Sequence, residues 1–271
     1  MAVFREYTSD DSFTKIDDIS AYGVSEFQVA LTFARDRDGD GKFKSSWDTK
    51  RVTPVVITNF KKLFPSAKVL VSIGNDHGQF PFHVDEKKHV SEWIQAATES
   101  LTDIIREYNL DGLDVFYETF EVTRPGIFVC CVREVIKNLK LSNVITQASI
   151  SPNIDTWDTY YQPLYQGFEE FIDNIFLQFF NTSRVVAAEN NNRIDHNLLE
   201  KFKTIADKSK KLSIGYTGIR EEWPQPSACF LPPFFFVIIA DFRRLIKGAS
   251  LKVTRDSITY FPPEWVIDVL L

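Results

Sequence analysis

Carboxylates at a spacing suited to proton transfer stand together in Asp111-Gly112-Leu113-Asp114-Val115-Phe116-Tyr117-Glu118. Read as a strand, this run sets Asp114, Phe116 and Glu118 on one face and Leu113, Val115 and Tyr117 on the other. The second set suits packing against helices, which turns two carboxylates inward, where they could give or take protons. Burying both is costly unless they are partnered, so a purely structural role requires Arg, Lys or hydrogen-bond donors nearby.

Other candidates are weaker. Asp36-Arg37-Asp38-Gly39-Asp40-Gly41 begins like a calcium loop, but Trp47 stands where the bidentate Glu is needed, so a solvated turn is expected and no metal site. His77, His83, His89 and His196 lack zinc-ligand spacing, and His77 is placed in a loop after the third strand. Asn181-Thr182-Ser183 fits a glycosylation sequon but is read as incidental. Lys201 to Lys211 reads as a solvated basic face, and Trp223 with Pro224-Gln225-Pro226 as either local packing or a ligand surface.

The pattern of apolar runs sets the strands and helices that carry this stretch. Strands are expected at Val3 to Tyr7, Phe27 to Ala34, Lys68 to Ile73, Gly112 to Tyr117, Val144 to Ile150, Asn174 to Phe180, Leu212 to Tyr216 and Ser257 to Phe261. Between them Pro54 to Leu63, Val90 to Glu107, Phe128 to Leu139, His196 to Lys208 and Phe234 to Lys247 read as helices. Eight strand–helix alternations imply an α/β chain closed into one (β/α)8 TIM barrel over residues 1–271, with chemistry expected at the C-terminal ends of the strands. An open doubly wound sheet is disfavoured because no Gly-x-Gly-x-x-Gly turn follows the first strand.

Composition agrees. The 271 residues include 31 Lys plus Arg against 37 Asp plus Glu, a formal charge of −6, and no basic stripe that would displace counterions from nucleic acid. No segment reaches the roughly 18 apolar residues needed to cross a bilayer, so no membrane partner is expected. The first ten residues carry Arg5, Glu6 and Asp10 rather than an apolar signal, and a cytoplasmic location is expected. Cys130, Cys131 and Cys229 are read as small buried hydrophobes rather than a disulfide framework. Phe is abundant, 24 residues against one Met, which favours a rigid interior.

The fourth-strand run resembles the Asp-Gly-x-Asp-x-Asp-x-Glu signature of glycoside hydrolase family 18, the chitinases, at Asp111, Gly112, Asp114 and Glu118, and departs from it at Phe116. Ser72-Ile73-Gly74-Asn75 is similar to the family's Ser-x-Gly-Gly, with the last Gly replaced. Gln178-Phe179-Phe180-Asn181 is similar to the Gln-Phe-Tyr-Asn of plant class III chitinases, with Phe180 in place of Tyr. Phe4-Arg5-Glu6-Tyr7, Trp47-Asp48, Asn59-Phe60-Lys61-Lys62 and Leu110 to Val115 resemble the legume narbonin and RuBisCO-associated group, chitinase-like barrels without known hydrolytic activity.

The resemblance implies a substrate-assisted mechanism in which Glu118 would be the acid and the sugar's acetamide the nucleophile. Phe116 then occupies the place of the Asp that orients the acetamide, and it can neither accept that hydrogen bond nor supply charge. Losing one such contact typically costs about 3 kcal/mol or more, at least a hundredfold in rate. Phe180 lacks a hydroxyl that would touch the same group. The implied protein is therefore a non-hydrolytic plant homologue with Glu118, Asp111 and Asp114 vestigial, no cofactor, and a storage or protein-associating role, RuBisCO being the partner by resemblance. Two alternatives stay open: a binder of N-acetylglucosamine oligomers through a cleft of Ser72, Gly74, Phe116, Glu118, Gln178, Phe180 and Asn181, and a weak or altered glycosidase.

Overall fold

The computed structural model describes residues 2–11, 14, 24–75, 80–85, 89–122, 124–178, 212–215 and 235–237. Strand β1 (Ala2–Thr8) is followed by β2 (Val24–Arg35) and the short β3 (Lys44–Ser45), then helix α1 (Pro54–Leu63) and β4 (Lys68–Asn75). Next come β5 (Phe82–His83), α2 (Val90–Glu107), β6 (Gly112–Tyr117), β7 (Phe120–Glu121) and α3 (Pro125–Leu141). The chain continues through β8 (Gln147–Ile150), α4 (Ile154–Thr156), a π-helical turn (Trp157–Tyr161), α5 (Gln162–Tyr165), β9 (Asn174–Gln178), β10 (Leu212–Gly215) and β11 (Phe235–Val237).

The sheet runs β1-β2-β4-β6-β8-β9-β10 with every neighbour parallel, the strand order of a (β/α)8 TIM barrel. Seven of the eight expected strands are these seven. The eighth, Ser257 to Phe261, and the helix His196 to Lys208 lie outside the described residues. One expectation is corrected: within the presumed helix Phe234 to Lys247, Phe235–Val237 is a strand, β11, paired antiparallel with β1 at Arg5↔Val237 and Tyr7↔Phe235. A short run of Phe and Val has no period that separates helix from strand, and the edge of β1 away from β2 supplies its backbone partners.

Local signals explain the helices. Thr53 caps α1, its hydroxyl accepting from the Val56 amide, with Pro54 at the first helical position. On α2, Trp93, Ala97, Leu101, Ile104 and Ile105 recur at helical spacing and are all buried. They pack with Ile57 and Phe60 of α1 and Phe128, Val132 and Val135 of α3 onto Val69, Val71, Leu113 and Val115, so one core fills the layer between sheet and helices. The opposite sheet face is a smaller, separate cluster inside the barrel: Tyr7, Ala30, Phe33, Phe116 and Phe176. The alternation of β6 is thereby realised, with Leu113, Val115 and Tyr117 outward and Phe116 inward.

Of the cysteines, Cys131 is buried in the helix layer, but Cys130 is exposed because its neighbour on α3 takes the inward face. Cys229 lies outside the described residues. Asp36 organises the turn after β2: its carboxylate accepts from the Asp40 and Gly41 amides at 3.1 and 2.9 Å and from Trp93 Nε1 at 2.8 Å. Gly74 at the end of β4 adopts φ +124°, and a Cβ there would stand 2.0 Å from the Phe116 carbonyl oxygen. Gly74→Ala is expected to cost about 3 kcal/mol, read as a lowered urea midpoint, because it adds backbone strain to a clash that neither strand can relieve.

Candidate functional site

The strand-four run distributes its residues over the full height of the barrel. Asp111 sits at the N-terminal end of β6, where its carboxylate accepts from the Val69 amide at 2.8 Å and from Lys61 Nζ at 2.9 Å. Its backbone accepts from Thr146 N and donates to Val69 O, so it joins the entries of β4 and β8 to α1. That is the stability end of an α/β barrel, remote from the C-terminal face.

Asp114 lies midway up the interior, wholly buried, and its partners come from β1, β4 and β8 with the residue that follows β8. Oδ1 accepts from Arg5 Nη1 at 2.7 Å, Ser149 Oγ at 2.5 Å and Ser151 Oγ at 2.7 Å. Oδ2 accepts from Ser72 Oγ at 2.9 Å and lies 3.2 Å from the Tyr7 hydroxyl. Arg5 is equally enclosed: Nε and Nη2 both donate to Gln28 Oε1, Nη2 also to Ser149 Oγ, and its Cζ lies 3.4 Å from the centre of the Phe176 ring. Below them Gln28 and Gln147 both donate to Glu26. The carboxylate thus has its lone-pair directions occupied by fixed donors, and the charge is neutralised by a guanidinium.

Immediately above this layer, Phe116 is 2 % exposed, its ring 5.5 Å from Tyr7 and 5.6 Å from Phe33. Glu118 follows β6 directly and is half-buried at the C-terminal face. Tyr161, carried on the π-helical turn, fixes the residue before it: its hydroxyl accepts from the Tyr117 amide at 2.7 Å and donates to the Tyr117 carbonyl at 2.9 Å. π-Helical turns are often found where a side chain must be aimed at such a point.

The other expected cleft residues separate. Ser72 is wholly buried and committed to Asp114, and Gly74 lies against the backbone of Phe116. Gln178 ends β9 one step above Phe176 on the inward face. It is wholly buried, and neither end of its amide has a hydrogen-bond partner among the described residues. Phe180 and Asn181 lie outside the described residues, as do His77, His196, Lys201 to Lys211 and Trp223. Arg5, Tyr7 and Tyr161 are the residues that sequence reasoning passed over. Arg5 and Tyr7 could have been found, since they alternate on one face of a strand whose neighbours must be buried.

Burial sets the acid–base character of the interior. The Tyr7 phenol is pushed above its usual range by burial and then by the neighbouring Asp114 carboxylate. Tyr117 and Tyr161 are likewise raised by burial, and burial pushes the Cys131 thiol up to about 12. In the unfolded chain these groups release protons above their ordinary values of 10.0 and 9.0, while in the fold they keep them. The unfolded state therefore binds fewer protons at alkaline pH. Their stabilising effect is complete below about pH 9 and is lost as pH rises beyond it, at about 1.4 kcal/mol per pH unit for each group in play. Urea midpoints across pH 8 to 11, followed together with phenolate absorbance, check this: the buried tyrosines are expected to ionise only on unfolding.

A curled parallel sheet with a carboxylate inside its fourth barrel strand and an acid at that strand's C-terminal end is the arrangement of a glycosidase-type barrel. The chain belongs to the glycosyl hydrolases family 18, whose pattern matches residues 7–225. It is 39% identical over 286 residues to the RuBisCO-associated protein of Glycine max, covering 99% of this chain and 96% of that protein. It is 32% identical over 198 residues to chitinase 1 of Tulipa saxatilis subsp. bakeri, covering 69% of this chain and 62% of that one. Among solved structures, the family 18 chitinase of Crocus vernus superposes with a TM-score of 0.64 at 29% identity over 79% of each chain.

What the described site can do chemically is limited. Glu118 could donate a proton at the barrel mouth. Phe116 offers no acceptor for an acetamide N–H and no charge for an oxazolinium, and Asp114 is held below it by five donors.

Proposed function

We propose that this chain is a family 18 barrel that does not hydrolyse chitin and acts instead by associating with another protein, or as a storage protein if no partner exists. Phe116 carries this reading: the ring fills the place from which a chitinase would hold the reacting acetamide, and it is packed against Tyr7 and Phe33. The likeness to a protein named for its association with RuBisCO supports a protein partner, and RuBisCO is the first to test. Co-sedimentation of the purified chain with purified plant RuBisCO is expected to show saturable, stoichiometric binding. Recovery of the whole chain in the supernatant at micromolar concentrations of both would remove that partner and leave storage.

A second reading, binding of N-acetylglucosamine oligomers without turnover, is favoured by Gln178, whose buried amide could serve a ligand's polar groups. Calorimetric titration separates it. No heat at millimolar sugar would eliminate it.

A further inference from the structure

We infer that the chain pairs with a second copy of itself, the outer face of α1 on one copy resting on the outer face of α2 on the other about a two-fold axis that runs along the helices. This goes beyond association with another protein and does not depend on it. Among the described residues three large apolar side chains are exposed, Val55, Leu63 and Leu141, at 66%, 74% and 66%. Two of them stand on α1, eight positions apart and so on one side of that helix, beside exposed Lys62. Helix α1 holds no acidic residue. Helix α2 has the opposite character. Glu92, Glu99 and Asp103 fall within about 40° of one line along its outer face, and Glu107 continues the stripe in the last turn. All four are exposed, and among the described residues their carboxylates have one partner, Gln95, which donates to Glu99 at 2.9 Å. Lys62 is likewise without an ion pair among the described residues. Arg106 is the one exposed cation of α2.

The two helices adjoin because they flank β4 in consecutive parallel crossovers. Their ends are level: Lys61 Nζ donates to the Asn109 carbonyl, just past α2, at 2.8 Å. Lys44, exposed on the strip that crosses α2 at Ser100, adds to the cationic half. A patch that is cationic and apolar on one side and anionic on the other is complementary to itself. An axis along the helices keeps heights equal, so Lys62 of each copy meets Asp103 and Glu107 of the other, and the contact occurs twice. Arg106 and Glu107 then lay their methylene stems over Leu63. The perpendicular axis would set α1 on α1 and one acidic stripe on the other, so charge selects the first arrangement. Two adjacent helices, the longer of 18 residues, present about 27 Å by about 20 Å, or roughly 1,000 Å² over both copies. That is the lower limit of a specific interface, so the pairing is weak and depends on concentration.

Sedimentation equilibrium of the full chain in about 0.15 M salt tests this, since repulsion between two copies carrying −6 each is then screened beyond about 8 Å. Wild type is expected to dimerise with a Kd of about 10 µM to 100 µM. Lys62→Glu, Glu107→Lys and Leu63→Asp are each expected to raise Kd about tenfold or more, because each sets like charges against each other across the contact. Combining Lys62→Glu with Glu107→Lys reverses both halves of the patch and should bring Kd back to within about threefold of wild type. Leu141→Asp, equally exposed but on α3, should stay within about twofold. All these positions are exposed, so the variants are expected to keep the wild-type circular dichroism spectrum. A wild type that stays monomeric at about 500 µM would overturn the inference. So would equal losses in Leu63→Asp and Leu141→Asp, or a double charge reversal that dimerises no better than either single one.

Discussion

Asp114→Ala is expected to destabilise the protein by about 3–5 kcal/mol, because it strands the Arg5 guanidinium in a fully buried site. Arg5→Met should cost a similar amount by stranding the carboxylate instead. Ser149, Ser151, Ser72 and Tyr7 soften either loss without replacing the missing countercharge. Since a whole domain is stable by only about 5–15 kcal/mol, each single variant sits near unfolding. Replacing both residues, Arg5→Met with Asp114→Leu, removes the charge and its partner together and should cost less than the sum of the two single changes. Urea unfolding of all four proteins measures this. Single-variant losses under about 1 kcal/mol would mean that the pair is not the buried strut described here.

The second large effect concerns Phe116→Asp, the change that rebuilds the family's signature. It should not produce a chitinase. The substitution removes a ring packed on Tyr7 and Phe33, a loss of about 3–5 kcal/mol for a buried Phe. It also introduces a second carboxylate two residues from Asp114 on the same strand face, and that new group will resist ionisation. A folded-state carboxyl raised above its unfolded value gives stability that is present at low pH and lost as pH rises through it. The gap between wild type and variant should therefore widen from about pH 4 to pH 7, checked by thermal unfolding across that range. Hydrolysis of N-acetylglucosamine oligomers should remain far below that of an active plant family 18 chitinase, because Phe180 and Asn75 still differ from the family pattern. Turnover near the active enzyme's would show that Phe116 alone silences the barrel.

These two residues also mark how far the sequence could be read. The strand run at Gly112 to Tyr117 matches β6 residue for residue, and the inward face of Asp114 and Phe116 follows from a period of two that a barrel strand cannot evade. Helices α1 and α2 are equally legible, because Pro54 marks a start and the Val90 to Glu107 stripe has a single helical period. What alternation cannot supply is the partner. Arg5 and Asp114 are 109 positions apart, and only barrel curvature brings them to 2.7 Å. For the same reason the signature's three matching carboxylates stand within eight residues of sequence, whereas Asp111 serves the bottom of the barrel, Asp114 its centre and Glu118 its mouth. The stretch Phe234 to Lys247 reads as a helix because the pairing of Phe235–Val237 depends on β1, a strand more than two hundred residues away.

Glu118 is expected to be an acid retained in a barrel that does not use it, which is checked by assaying release of reducing sugar from N-acetylglucosamine oligomers by wild type and by Glu118→Gln, beside an active plant family 18 chitinase. Both forms of this chain are expected to release no more sugar than buffer alone. Measurable turnover by wild type that Glu118→Gln abolishes would contradict this expectation.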